Sequence, residues 1–130
     1  MKDKYNPEKK FRFRNFAVYK NARSFCVRTK RLSESFPKQE QFALKSQLWR
    51  ALDSIILNIA EGSDRGTDKD FAHFLNLSSA SLNEVVACID VAFDCGYINQ
   101  NEQDRVINEA ALLFNELTAF RNHVLKSPTK

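Results

Sequence analysis

The sequence predicts an all-α protein, an antiparallel up-down-up-down four-helix bundle. Three observations carry that prediction. The 130 residues include only three Gly and three Pro, too few for the tight turns of a sandwich or barrel. Apolar residues recur at steps of three and four through four long stretches. The segments between those stretches are short, as antiparallel neighbours in a bundle require. Hydrophobic residues make up 43% of the chain and eleven are Phe, enough for one real core and too many for a disordered chain.

Residues 1–12 lack periodicity and read as a flexible basic arm, ahead of a bundle at 13–126 and a frayed tail at 127–130. The first helix is expected over about 14–35, with Val18, Ala22, Phe25, Thr29, Leu32 and Phe36 as its stripe. Pro37 disfavours helix at the residue before it. The second helix, about 39–61, places Leu44, Leu48, Leu52, Ile55 and Ile59 on one line. Phe42, Trp49, Ile56 and Ala60 lie roughly 100° further round, so the face is wider than one partner helix covers. Gly62 suits the C′ position, where a left-handed residue closes the last turn.

The third helix is expected over about 68–95. Thr67 is its N-cap, and Asp68 and Asp70 favour a helix start. Phe71, Leu75, Ser78, Leu82, Val85 and Ile89 run along its stripe, and Gly96 ends it. In the fourth, about 100–125, Asn99 and Glu102 form a capping-box pattern ahead of Val106, Ala110, Leu113, Leu117, Phe120 and Val124.

The stretch "NIAEGSDRGTDKDFAHFL", Asn58 to Leu75, then reads as a helix-to-helix turn in which Asn58, Glu61, Gly62, Arg65 and Thr67 have structural roles. It lacks the Lys-Ser/Thr pair of a phosphate loop and follows no strand, and Asp64, Asp68 and Asp70 would repel an anion. The alternating ligands and terminal Glu of a calcium loop are missing too. Neither histidine, His73 or His123, has a Glu three residues before it, so a di-iron bundle site is not expected. No nucleophile and base set suggests itself. The chain is expected to be no enzyme and to bind no metal or cofactor.

Charge is the informative feature. Residues 1–36 carry eleven Lys or Arg against three acids, whereas residues 37–130 carry nine bases against thirteen acids. On the first helix Lys20, Arg23, Lys30 and Arg31 fall within roughly 60° of one line, opposite the apolar stripe. Arg28 sits at the flank, and Lys9, Lys10, Arg12 and Arg14 extend the run into the arm. A merely solvated face interleaves both signs, yet residues 9–33 contain no acid. Such a stripe attracts polyanions by counterion release. Nucleic-acid contact, RNA foremost, is therefore expected at Arg12, Arg14, Lys20, Arg23, Lys30 and Arg31. The rival reading is a protein-interaction scaffold whose charge serves solubility alone. Phe11 and Phe13, alternating with arginines in "FRFRNF", either stack on bases or fold back on the bundle, and folding back is preferred.

Trp49, Ile56, Leu57, Leu77, Val91 and Phe114 exceed what one bundle core absorbs, and a contiguous patch of them implies self-association. No apolar run reaches the roughly 20 residues of a membrane span, and the charged N-terminus leads into no signal-like apolar segment. Cys26, Cys88 and Cys95 form no CxxC and read as reduced thiols of a cytoplasmic protein.

The segments "SQLWRALDSIILNIAEGSDRG" and "KDFAHFLNLSSASLNEVVACIDVAFDCGYI", with "FPKQEQFALKSQL" before them, resemble the family of bacterial four-helix-bundle proteins called 23S rRNA intervening-sequence proteins. The resemblance covers about residues 13–126. It implies a small helical protein with no established catalytic residues, assembled as a ring-shaped homopentamer. It also implies kinship with accessory proteins of the reverse transcriptases of diversity-generating retroelements, which bind nucleic acid through a basic surface. A reverse transcriptase is thus one expected protein partner. Two positions depart from the family pattern: Ile56 replaces a common Pro, and His73 a common Arg.

Overall fold

The computed structural model describes residues 6–126. Four long helices make up the fold: α1 (Ala17–Leu32), α2 (Leu44–Gly62), α3 (Asp68–Asp94) and α4 (Gln100–Lys126). No strand occurs among the described residues.

Side-chain bonds between helices give their directions. The Cys26 thiol donates to the Leu52 carbonyl at 3.1 Å, and the Trp49 indole donates to Ser33 Oγ at 2.9 Å, so α2 runs against α1. Ser78 Oγ donates to the Ile55 carbonyl at 2.8 Å and Gln47 to Glu84 at 2.9 Å, so α3 runs against α2. Gln103 donates to Asp90 at 3.0 Å and Arg121 to Asn76 at 2.9 Å, reversing α4 on α3. Asn21 donates to Glu116 at 2.6 Å and Arg28 to Glu109 at 3.3 Å, closing α4 onto α1. The four antiparallel pairings make the predicted up-down-up-down bundle.

The core is built from the sequence stripes. Phe25, Leu48, Leu52, Ile55, Ile59, Leu75, Leu82, Ile89 and Leu117 are essentially inaccessible. Each such side chain contributes about 1.5–3 kcal/mol of burial free energy. Buried Thr29 and Ser78 spend their hydroxyls on the Phe25 and Ile55 carbonyls, so among the described residues no buried side-chain polar atom is left unpaired to offset that gain.

The helix ends follow local chemistry where that chemistry is strong. Thr67 Oγ1 accepts from the Asp70 amide at 3.1 Å. Asn99 and Glu102 cap each other reciprocally, at 2.8 Å and 2.9 Å. Gly96, at φ +79°, closes α3 with the Tyr97 amide on the Ala92 carbonyl and its own amide on that of Phe93.

Elsewhere the expected bounds shift. The first helix starts at Ala17 because Phe16 is extended (φ −67°, ψ 130°), leaving Arg12–Asn15 as a separate 3-10 turn. That bend sets the Phe16 ring 5.0 Å from Phe120 and 6.3 Å from Phe71. The second helix starts at Leu44, since Ala43 leaves the helical region and Lys38–Glu40 form a 3-10 turn. Phe42 therefore misses the apolar face and is 89% exposed. Within the arm, Pro7–Lys10 form one helical turn, while residues 1–5 and the tail at 127–130 lie outside the described residues.

Gly62 corrects the sequence reading most sharply. It lies inside the last turn of α2, and Gly96 is the one described residue at positive φ. Gly62 is there for space. A Cβ on it would stand 2.5 Å from Phe74 Cβ and 3.1 Å from Phe71 Cδ1. Its missing side chain lets the start of α3 pack against the end of α2.

Candidate nucleic-acid interface

The core stripe fixes the rotation of α1. With Val18, Ala22, Phe25, Cys26 and Thr29 buried, the opposite ridge presents Lys20, Arg23, Val27 and Arg31 to solvent. Lys20, Arg23, Ser24, Val27, Arg28 and Arg31 line one shallow open depression. Arg14, Asn15, Lys20 and Arg23 line a second, which adjoins the first through its shared residues. The result is one basic surface running from Arg14 in the 3-10 turn to Arg31 near the end of α1. No carboxylate lines either depression. Among the described residues, Arg14, Lys20, Arg23 and Arg31 have no carboxylate within ion-pair distance. The Arg23 guanidinium lies 5.6 Å from the centre of the Tyr19 ring, a geometry that leaves its charge available.

Two of the six predicted contacts are directed elsewhere. Lys30 Nζ lies 2.6 Å from Asp53 on α2 and 4.8 Å from the centre of the Trp49 ring. Arg12 donates to the Ser63 carbonyl at 2.9 Å, with its guanidinium 5.3 Å and 5.9 Å from the Phe16 and Phe71 rings. It clasps the arm onto the α2–α3 turn. Arg28, a flank residue in the sequence, lies at the rim of the surface and is bonded to Glu109 of α4 at 3.3 Å. Its companion in the depression, Val27, was missed by charge patterning because it carries none.

The two arm phenylalanines part company. Phe13 folds back, its ring 5.0 Å from Tyr19 in an edge-to-face contact. Phe11 lies 6.3 Å from Phe13 and stays 49% exposed.

The turn residues hold one another. Asn58 donates to Ser54 within its own helix, at 2.9 Å and 3.0 Å. Glu61 pairs with Arg65 at 3.4 Å, and the Arg65 guanidinium lies 4.4 Å from the centre of the Phe74 ring. Gly62 against Phe74, the Glu61–Arg65 pair and Thr67 capping α3 lie at the chain reversal, whereas the Asn58 side chain bonds one turn back within α2. Burial pushes the Cys26 thiol up to about 12, with the Asp53 carboxylate adding to the effect. Burial also raises Cys88. Neither thiol is poised as a nucleophile near neutral pH.

Residues 14–119 match the family model described as 23S rRNA-intervening sequence protein. The fold is also similar to the crystal structure of a protein of unknown function from the S23 ribosomal protein family of Bacteroides thetaiotaomicron VPI-5482. That likeness has a TM-score of 0.73 at 23% identity, and covers 81% of this chain and 98% of that one. No curated protein matches the chain.

Proposed function

The chain belongs to the 23S rRNA-intervening sequence protein family, and from that premise we propose a non-enzymatic, homo-oligomeric bundle whose α1 surface binds nucleic acid. The observation that carries this reading is the acid-free surface of Arg14, Lys20, Arg23 and Arg31. Cations left without a carboxylate gain most from a polyanion, which releases its own counterions on binding. Such contacts hold phosphates without reading bases, so recognition is tolerant of sequence. The family's name refers to 23S rRNA, which makes RNA the first ligand to test.

Self-association is supported by apolar surface away from α1. Leu82, Val86, Ile107, Ala110, Ala111 and Phe114 line a groove between α3 and α4. Leu57, Leu77 and Val91 are exposed as well, whereas Trp49 and Ile56 pack on the core. Assembly through the groove leaves the basic ridge uncovered and repeats it in each subunit. Repetition raises avidity through effective concentration.

The test is retention of the purified protein on immobilised random RNA across a salt series. Binding whose logarithmic affinity falls linearly with logarithmic salt supports the proposal. Absence of binding even at low salt refutes it and leaves the scaffold reading in its place.

A further inference from the structure

We infer that the α1 surface takes single-stranded rather than duplex nucleic acid, an inference that rests on the nucleic-acid reading above. The carrying observation is the aromatic edge at its arm end. Phe11, Phe13 and Tyr19 form a continuous series of ring contacts at 6.3 Å and 5.0 Å, and Arg23 lies over Tyr19 at 5.6 Å. Arg23 in turn shares a depression with Arg14 and Lys20. Half-exposed Phe11 thus lies at one end of a path that leads directly onto the phosphate-binding cations.

Phe11 is held in place. Its amide donates to the Pro7 carbonyl at 2.9 Å, and its carbonyl accepts from the Arg14 amide at 3.1 Å. Arg12, the next residue, is fastened to Ser63. A solvent-facing ring on an anchored backbone beside cations is the combination that binds unpaired strands: the groove tracks the backbone, and the ring stacks on a base. A duplex has no use for such a ring, because its base faces are already covered by their neighbours. The deep major groove of an RNA duplex also excludes side chains. The phosphate contacts alone would not discriminate between the two forms, so discrimination falls to Phe11.

The experiment uses the full chain and an RNA of about 20 nucleotides, free or annealed to its complement, with fluorescence anisotropy as readout. Wild type is expected to bind the single strand more tightly. Phe11→Ala should weaken single-strand binding roughly 5- to 150-fold, the range for loss of one base–aromatic stack, and leave duplex binding unchanged. Phe11→Leu keeps apolar bulk without a ring and should match Ala, whereas Phe11→Trp should restore affinity. Equal wild-type affinity for the two forms overturns the inference, as does full single-strand affinity in Phe11→Leu. Either result leaves salt-dependent binding, and so the nucleic-acid reading, standing. Loss of all binding by wild type at low salt removes both.

Discussion

The three glycines separate steric from conformational causes of stability, and replacing each by Ala predicts three different outcomes. At position 62 the new Cβ would stand 2.5 Å from Phe74 Cβ. Carbon atoms settle at about 3.5–4.0 Å, so the two helices must part by about 1 Å. Both atoms are the first of their side chains, so no rotamer change relieves the clash. Overpacking of this kind costs about 1–3 kcal/mol, and Ala returns up to about 1 kcal/mol as the better helix former. With the displacement near 1 Å the upper part of the range applies, for a net loss of about 2 kcal/mol. Unfolding entropy near 2.1 cal/mol/K per residue makes 1 kcal/mol worth about 4 °C in a chain of this length, so Tm should fall by about 8 °C. Gly96→Ala meets no neighbour but must hold φ +79°, at a cost of about 1–2 kcal/mol, or about 4–8 °C. Gly66→Ala has open space and no positive φ, and should gain about 0.4–1 kcal/mol through the unfolded chain. Circular-dichroism melts at one fixed protein concentration measure all three. A Gly62→Ala protein that melts at or above wild type refutes the close-packing account. A Gly66→Ala loss as large as that of Gly62→Ala would show instead that the turn as a whole resists substitution.

Three other outcomes follow from the surface and the thiols. The Arg23→Glu, Arg31→Glu pair should weaken binding to all RNA sequences alike and reduce the log–log salt slope by about 1.4–1.8, with assembly unchanged; disassembly on light scattering would relocate these arginines to a subunit interface. Phe114→Glu places a charge in the α3–α4 groove and should reduce the light-scattering mass to that of the monomer, while an unchanged mass puts the interface elsewhere. At pH 8 the native protein should show one fast thiol with Ellman's reagent, exposed Cys95, and three after denaturation; rapid labelling of Cys26, held near 12 by burial, would contradict its environment.

How much of this was legible in the sequence depends on how local each cause is. The bounds of α3 and α4 came within one residue, because Thr67, Asn99, Glu102 and Gly96 act on backbone groups a few positions away. The starts of α1 and α2 were placed too early. Helical periodicity runs on through Phe16 and Phe42, but Phe16 bends the chain to reach Phe71 and Phe120, residues distant in sequence. Gly62 was misread for the same reason: a glycine near a helix end has a local explanation, and the atoms that demand it belong to another helix.

The basic surface shows the same division inside one site. That residues 9–33 lack acids is plain from the sequence, but which bases keep their charge free is not. Lys30 and Arg31 are adjacent, yet one meets Asp53 and the other meets no carboxylate. Successive residues on a helix point about 100° apart, so one lies toward a seam while its neighbour stays on the ridge. The acids that pair with α1 cations come from both seams: Asp53 on α2 with Lys30 at one side, Glu109 on α4 with Arg28 at the other. Pairs this exposed contribute about 0–1 kcal/mol each, so they add little to stability. Their consequence is spatial. They place counter-charges on the flanks, and the ridge that neither neighbouring helix reaches leaves Lys20, Arg23 and Arg31 without a carboxylate among the described residues. The rotation that creates this ridge is set by Val18, Ala22, Phe25 and Thr29 in the core. The packing stripe and the basic ridge are therefore one decision of the chain, seen from its two sides.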